Sequence, residues 1–128
     1  MSETIQRQQA YNNAVEIVKI LDSKKAIDLK LICVREQTPL ADYFVICTAN
    51  STTQLRSLAD EVEFQMKQKF DIECKAEGRD GWILLDYASV IVHVFTGEAR
   101  DFYKLDKLWS EGEEIDLTQI IEIDYKED

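Results

Sequence analysis

The tightest constraint in this chain is the run Tyr43 to Ala49 (YFVICTA), which has no alternating polar face and lies between Asp42 and Asn50. Such a run fits a central strand covered on both sides, so the fold must supply cover for each face of a sheet. Directly after it, Ser51 and Gln54 form an S-x-x-Q capping box, and Leu55, Leu58, Ala59, Val62 and Met66 repeat at helical spacing. That spacing predicts a long helix ending near Phe70. Ile72 to Glu77 (IECKAE) then switches to period two, and a strand, helix, strand order predicts a right-handed parallel crossover. Gly78-Arg79-Asp80-Gly81 reads as a turn into Trp82 to Asp86 (WILLD). The short link Tyr87-Ala88-Ser89 leads on to Val90 to Phe95 (VIVHVF), so these strands form a meander.

Upstream, Ala10, Ala14, Ile17, Val18 and Leu21 make the stripe of an amphipathic helix. Ile27 to Val34 alternates Ile27, Leu29, Leu31 and Cys33 against Asp28 and Lys30, as in a half-buried strand, and the turn-rich link Glu36 to Asp42 holds the only proline, Pro39. After Gly97, Ala99, Phe102, Leu105 and Trp109 predict one further helix. The sum is an α/β fold, a small mixed sheet of about five strands covered by helices. At 128 residues the chain is one domain, able to bury a core without disulfides or a metal. We set its boundary at residues 1–110, with residues 111–128 as an acidic extension whose Ile115 to Ile123 could be helix, edge strand or tail.

Charge narrows the function. Fifteen Lys+Arg stand against 25 Asp+Glu, a net −10, which counts against a sequence-independent nucleic-acid binder and favours a basic protein partner. The distribution is uneven: from Glu111 onward eight acids face one lysine, so most of the net charge lies there. Cys33, Cys47 and Cys74 have neither metal-site nor disulfide spacing and read as reduced thiols, while the single histidine, His93, excludes multi-histidine zinc sites. No apolar stretch approaches a signal core or membrane span, so the expectation is a soluble, cytoplasmic protein with no membrane association.

Catalytic signals are sparse. The turn TANSTTQ at Thr48 to Gln54 joins a strand to a helix N-terminus and could face an anion, but it lacks the glycines of a phosphate loop, and ordinary capping explains it. Asp42 and Asp86 stand at strand ends, yet no paired carboxylates follow on a downstream strand to hold magnesium. His93 shares a strand face with Ile91 and Phe95 and reads as a satisfied histidine packed in or beside the sheet, in preference to a general base. Trp82, Leu84 and Asp86 share one strand face, which is either core or a patch where an aromatic anchor sits beside an acid.

Three ordered segments, ADYFVICTANSTTQ (41–54), EGRDGWILLDYASVIVHVF (77–95) and EARDFYKLDKLW (98–109), together resemble the Iojap-related ribosomal silencing factor (RsfS) family over residues 5–110. Ala49 and Ala88 depart from the pattern, standing where the family often has glycine. The resemblance implies a nucleotidyltransferase-like fold without transfer activity or cofactor. It implies binding to the universal L-fourteen protein on the joining face of the large ribosomal subunit, which blocks an intersubunit bridge, excludes the small subunit and lowers translation. A nucleotide-binding or nucleotidyltransferase-like enzyme is the alternative. Candidate contact residues are Trp82, Phe95, Tyr103, Leu105 and Trp109 as apolar anchors, Asp86, Glu98 and Asp101 as partners for cations, and Arg100; the alternatives are core for Phe95, Leu105 and Trp109, a helix N-terminal role for Glu98, and a surface pair of Arg100 with Asp101 or Glu98. The aromatic stretch Phe102 to Trp109 is also a candidate for a homodimer of the free protein.

Overall fold

A computed structural model describes residues 3–121 of the chain. Helix α1 (Glu3–Ser23) begins with polar turns in solvent and then lays Ala10, Ala14, Ile17, Val18 and Leu21, each no more than 1 % exposed, into the interior. Strand β1 (Ile27–Cys33) leads to β2 (Tyr43–Ala49), which is buried at every residue, as its unbroken apolar run requires. Helix α2 (Thr52–Phe70) starts at Ser51, whose Oγ accepts the Gln54 N–H at 3.0 Å, and Gln54 Oε1 in turn accepts the Asn50 N–H at 2.6 Å. It stops where Asp71 adopts a left-handed conformation (φ 57°).

Strands β3 (Lys75–Arg79), β4 (Trp82–Asp86) and β5 (Val90–Thr96) form the expected meander. Short helices α3 (Gly97–Tyr103) and α4 (Leu105–Leu108) follow, then the two-residue strand β6 (Glu113–Glu114) and a 3-10 turn at Leu117–Gln119. The sheet has six strands in the order β3-β4-β5-β2-β1-β6, one more than the sequence suggests. Among the described residues, β2 and β5 alone pair in parallel.

The crossover is therefore longer than expected. β2 is joined through α2 not to β3 but past the β3–β4 hairpin to β5. The composition explains the choice: KAEGR is exposed throughout and suits an edge, whereas VIVHVF can be buried on both faces and takes the place beside β2. β3 also starts later than the periodicity predicts, because Ile72 and Cys74 are spent as a connector packed against the core.

Helices α1 and α2 cover one face of the sheet, over Leu31, Val45, Cys47, Leu85, Val92 and Val94. The opposite face carries a smaller core of Ile32, Val34, Phe44, Ile46, Phe95, Ala99 and Leu105, roofed by α3 and α4. β1 thus buries both faces in its second half and departs from the half-buried reading; its first half is bulged at Asp28 (φ 48°), which leaves Ile27 40 % exposed. The acidic segment from Glu111 joins the body over its described part: β6 pairs with β1, Ile115 N–H donates to the Leu31 carbonyl, and Ile115, Leu117, Ile120 and Ile121 pack on the main core. The remaining acids, from Glu122, lie outside the described residues. Among the described residues no helix is long and apolar enough to cross a membrane.

Candidate functional site

β4 divides its side chains between the two faces. Ile83 and Leu85 enter the main core, and Trp82, Leu84 and Asp86 point the other way, opposite Phe95, His93 and Ile91 of β5. Helix α3 packs over β5 and β2 and meets β4 through Tyr103 against Trp82, and Trp82, Leu84 and Asp86 stay half-buried, so β4 forms the border of the covered face. Trp82 occupies that border. Its ring lies 4.6 Å from Tyr103, 5.0 Å from Phe95 and 5.8 Å from His93, and its Nε1–H donates to His93 Nδ1 at 3.3 Å. It is neither plain core nor a free patch: it is backed by aromatics and partly exposed in front. Phe102 extends the apolar surface, 77 % exposed and edge-on to Tyr103.

His93 is 4 % exposed, with Phe44 edge-on at 4.8 Å and Phe95 stacked at 6.2 Å. Accepting the indole N–H at Nδ1 puts its own proton on Nε2, which has no partner among the described residues, so the histidine is packed as expected but only half satisfied there. Burial pushes its pKa down to about 3 and keeps it neutral.

The other candidates separate by burial. Phe95 is wholly buried and Leu105 is 8 % exposed, so of the two readings open for them, core and contact anchor, both take the core one and support the face from within. Tyr103 and Trp109 are half buried, Trp109 sitting edge-on to Phe44 at 5.0 Å. Glu98 and Asp101 are exposed on α3. Asp86 spends one oxygen on the Ala88 N–H at 2.8 Å, fixing a turn in which Ala88 takes φ 71°, the conformation that glycine suits at this position of the family pattern. Ala49, the other departure, is an ordinary buried strand residue.

Arg100 differs most from expectation. Instead of a surface pair with Asp101 or Glu98, it lies under the roof and forms a two-pronged bond to Asp106, Nε to Oδ1 at 3.1 Å and Nη2 to Oδ2 at 2.8 Å. Its Nη1 donates to the Asp28 carbonyl at 2.7 Å and to Thr48 Oγ1 at 2.8 Å, and Lys30 Nζ also reaches Asp106 at 3.0 Å. This network needs the helix to break, which corrects the single helix expected after Gly97. In a continuous helix, positions six apart lie about 120° apart around the axis, whereas Lys104 at φ 52° turns the chain so that Asp106 faces back to Arg100. Asp106, Asp28 and Thr48 carry no local sequence signal for this role; only the i, i+6 spacing of Arg100 and Asp106 hints at it.

The anion-facing turn at Ser51 is occupied by its own capping bonds. The shallow cleft beside it is lined by Ser51, Thr52, Thr96 and Tyr103 together with Asp80 and Glu98, acids that disfavour an anionic ligand.

The geometry is thus a half-buried aromatic cluster around Trp82, with Asp86 on the same strand and Glu98 and Asp101 exposed on α3. A model of the family described as "Ribosomal silencing factor during starvation" matches residues 7–128. The ribosomal silencing factor RsfS of Bacillus subtilis is 36 % identical over 111 residues, covering 82 % of this chain and 94 % of that protein. A mouse protein named "Mitochondrial assembly of ribosomal large subunit protein 1" is 31 % identical over 102 residues, covering 73 % of this chain and 43 % of its own. A crystal structure from Bacillus halodurans superposes with a TM-score of 0.69 at 32 % identity, covering 86 % of this chain and 99 % of that one. The match over nearly the whole sequence and the shared architecture lead to one assignment: this chain belongs to the ribosomal silencing factor (RsfS) family.

Proposed function

We propose that this protein silences translation by seating its Trp82 face on a protein of the large ribosomal subunit, where its bulk keeps the small subunit from joining. The coarse part of this reading, a ribosome-associated role in silencing, follows from membership of the family. The partner is the universal L-fourteen protein on the joining face, which the resemblance implies and the mouse relative's name, with its large ribosomal subunit, supports as to subunit.

One observation carries the choice of face: Trp82 is half-buried, keeping part of its ring at the surface while held from behind by His93, Phe95 and Tyr103. A large side chain already immobilised loses little entropy on docking, and Trp is favoured among residues that dominate binding energy. Around it Phe102 adds apolar area, and Asp86, Glu98 and Asp101 place negative charge where a basic protein surface would meet it. Catalysis has no part in this role, and the protein would act in the cytoplasm, where ribosomal subunits meet.

The test is subunit joining on a sucrose gradient. Purified protein added in molar excess to separated subunits is expected to leave them unjoined, and the Trp82→Ala variant to restore joining. Normal joining with the unaltered protein present would overturn the reading. A second reading, self-association of the free protein, is favoured by Phe102 and Leu108, which are 77 % and 70 % exposed on the roof helices. A single monomeric species by light scattering at high concentration would remove it.

A further inference from the structure

We infer that His93 is a positioning residue for docking: its buried imidazole fixes the direction in which Trp82 presents its indole to the partner. The inference rests on the reading of Trp82 as the anchor.

Register brings the two together. Trp82 stands directly opposite Phe95 and Leu84 opposite His93, so Trp82 and His93 are diagonal neighbours across β4 and β5, a separation that long aromatic side chains can bridge. The indole has one polar atom, Nε1–H, and His93 Nδ1 accepts from it at 3.3 Å. The acceptor cannot turn freely, because Phe44 is edge-on to the imidazole and Phe95 lies parallel to it. A flat indole resting on Phe95 and Tyr103 could otherwise rotate about its side-chain bonds with little change in apolar contact. The directional hydrogen bond selects one orientation.

The choice of residue type points the same way. A phenylalanine or leucine would fill this position without adding a polar atom but would take the acceptor from the indole N–H, whereas histidine supplies it even though Nε2 is left with no partner among the described residues. A carboxylate would accept the indole proton but would bring a charge into the layer between sheet and roof. Neutral histidine is the aromatic side chain that packs against Phe44 and Phe95 and still accepts at a ring nitrogen. Its burial makes proton exchange with a bound molecule an unsuitable role.

The experiment compares His93→Phe, His93→Gln and Trp82→Ala in co-sedimentation with isolated large subunits, with circular dichroism as the check on fold. The Trp82 indole N–H is followed in parallel by nitrogen-15 NMR. His93→Phe is expected to stay folded, to shift the indole resonance and to bind about tenfold more weakly, as expected when one dominant anchor is misdirected. His93→Gln, which keeps an acceptor, is expected to recover most of the binding. If Trp82→Ala binds as well as the unaltered protein, the docking reading itself fails. If Trp82→Ala loses binding while folded His93→Phe retains it, the inference about His93 is overturned and the docking reading stands. Should His93→Phe unfold, hydrogen exchange of the indole in the unaltered protein decides: protection well beyond that of free tryptophan is expected, and exchange as fast as free tryptophan overturns the inference.

Discussion

Arg100 and Asp106 meet in a two-pronged ion pair across the left-handed break at Lys104, and this pair joins the roof of the second core to the bulge of β1 and the end of β2. The Arg100 side chain is only 11 % exposed and donates to three residues. Arg100→Ala is therefore expected to lower stability by about 2–4 kcal/mol, since it leaves Asp106 and the Asp28 carbonyl short of partners. Arg100→Lys should recover little, because an ammonium cannot reproduce the fork. Urea unfolding of the variants measures both; a loss under about 0.5 kcal/mol for Arg100→Ala, as for an exposed pair, would contradict the assignment.

The same pair sets an acid limit. Hydrogen bonding from Arg100, then from Lys30, holds the Asp106 carboxyl down at about 2, below its ordinary 3.8. A depressed folded pKa contributes stability that is fully present above the unfolded value and is lost as pH falls through the folded one. The loss should therefore fall between about pH 4 and 2 and amount to about 2 kcal/mol. Asp106→Asn should flatten that part of the curve of unfolding free energy against pH. An unchanged slope in the variant would mean that other carboxylates govern the acid transition.

Legibility followed the range of the interactions. The α1 and α2 stripes, the Ser51 cap and the apolar β2 run are local patterns, and each lies where its period places it. The position of β3 was not legible, because its place depends on competition with VIVHVF for the partner beside β2. The break at Lys104 was hidden too: lysine has no preference for a left-handed turn, and the contacts that favour the break come from Thr48 and Asp28, more than 50 residues away. For the candidate site, strand alternation brought Trp82 and Asp86 to one face, but it could not show that Tyr103 of α3 backs Trp82, nor that Phe95 and Leu105 are buried.

The two alanines at family glycine positions should behave oppositely. Ala88 has φ 71°, where an L side chain is strained, and Ala88→Gly is expected to be neutral or to stabilise by up to about 1 kcal/mol, strain relief being partly offset by unfolded-chain entropy. Ala49 is 1 % exposed in β2, and Ala49→Gly should cost about 1 kcal/mol or more through backbone entropy and a lost methyl contact. Thermal unfolding of the pair checks this; equal destabilisation by both would refute the turn geometry.

Gly81 links the β3–β4 turn to the roof. Its φ is 72°, and a Cβ there would come within 2.7 Å of Thr96 Oγ1 and 3.0 Å of Ala99 Cβ, at the start of α3. Gly81→Ala should cost about 1–3 kcal/mol through strain and overpacking. It should also shift α3 away from β4, loosening the contact of Tyr103 with Trp82 and reddening tryptophan emission as the indole gains water. Destabilisation without any change in emission would separate the turn from the aromatic cluster.

Trp82 and Phe95 touch at 5.0 Å, but one is half-buried and the other wholly buried, so truncation should sort them into different functions. Phe95→Ala opens a cavity beneath the roof and is expected to cost about 3–5 kcal/mol of stability and, because its ring also backs Trp82, to weaken ribosome binding of the folded protein less than Trp82→Ala does. Trp82→Ala removes the outward anchor. It should keep its circular dichroism and lose more than about 2 kcal/mol of binding to large subunits, roughly 30-fold, as a central contact residue does. Glu98→Gln with Asp101→Asn, both exposed on α3, should instead leave stability alone and weaken the salt dependence of binding, because rim charges act through screened attraction. Co-sedimentation across a salt series, with melting curves run beside it, distinguishes the three outcomes. Binding that survives Trp82→Ala but fails in the acid variants would move the contact from the β4 face to the outer surface of α3.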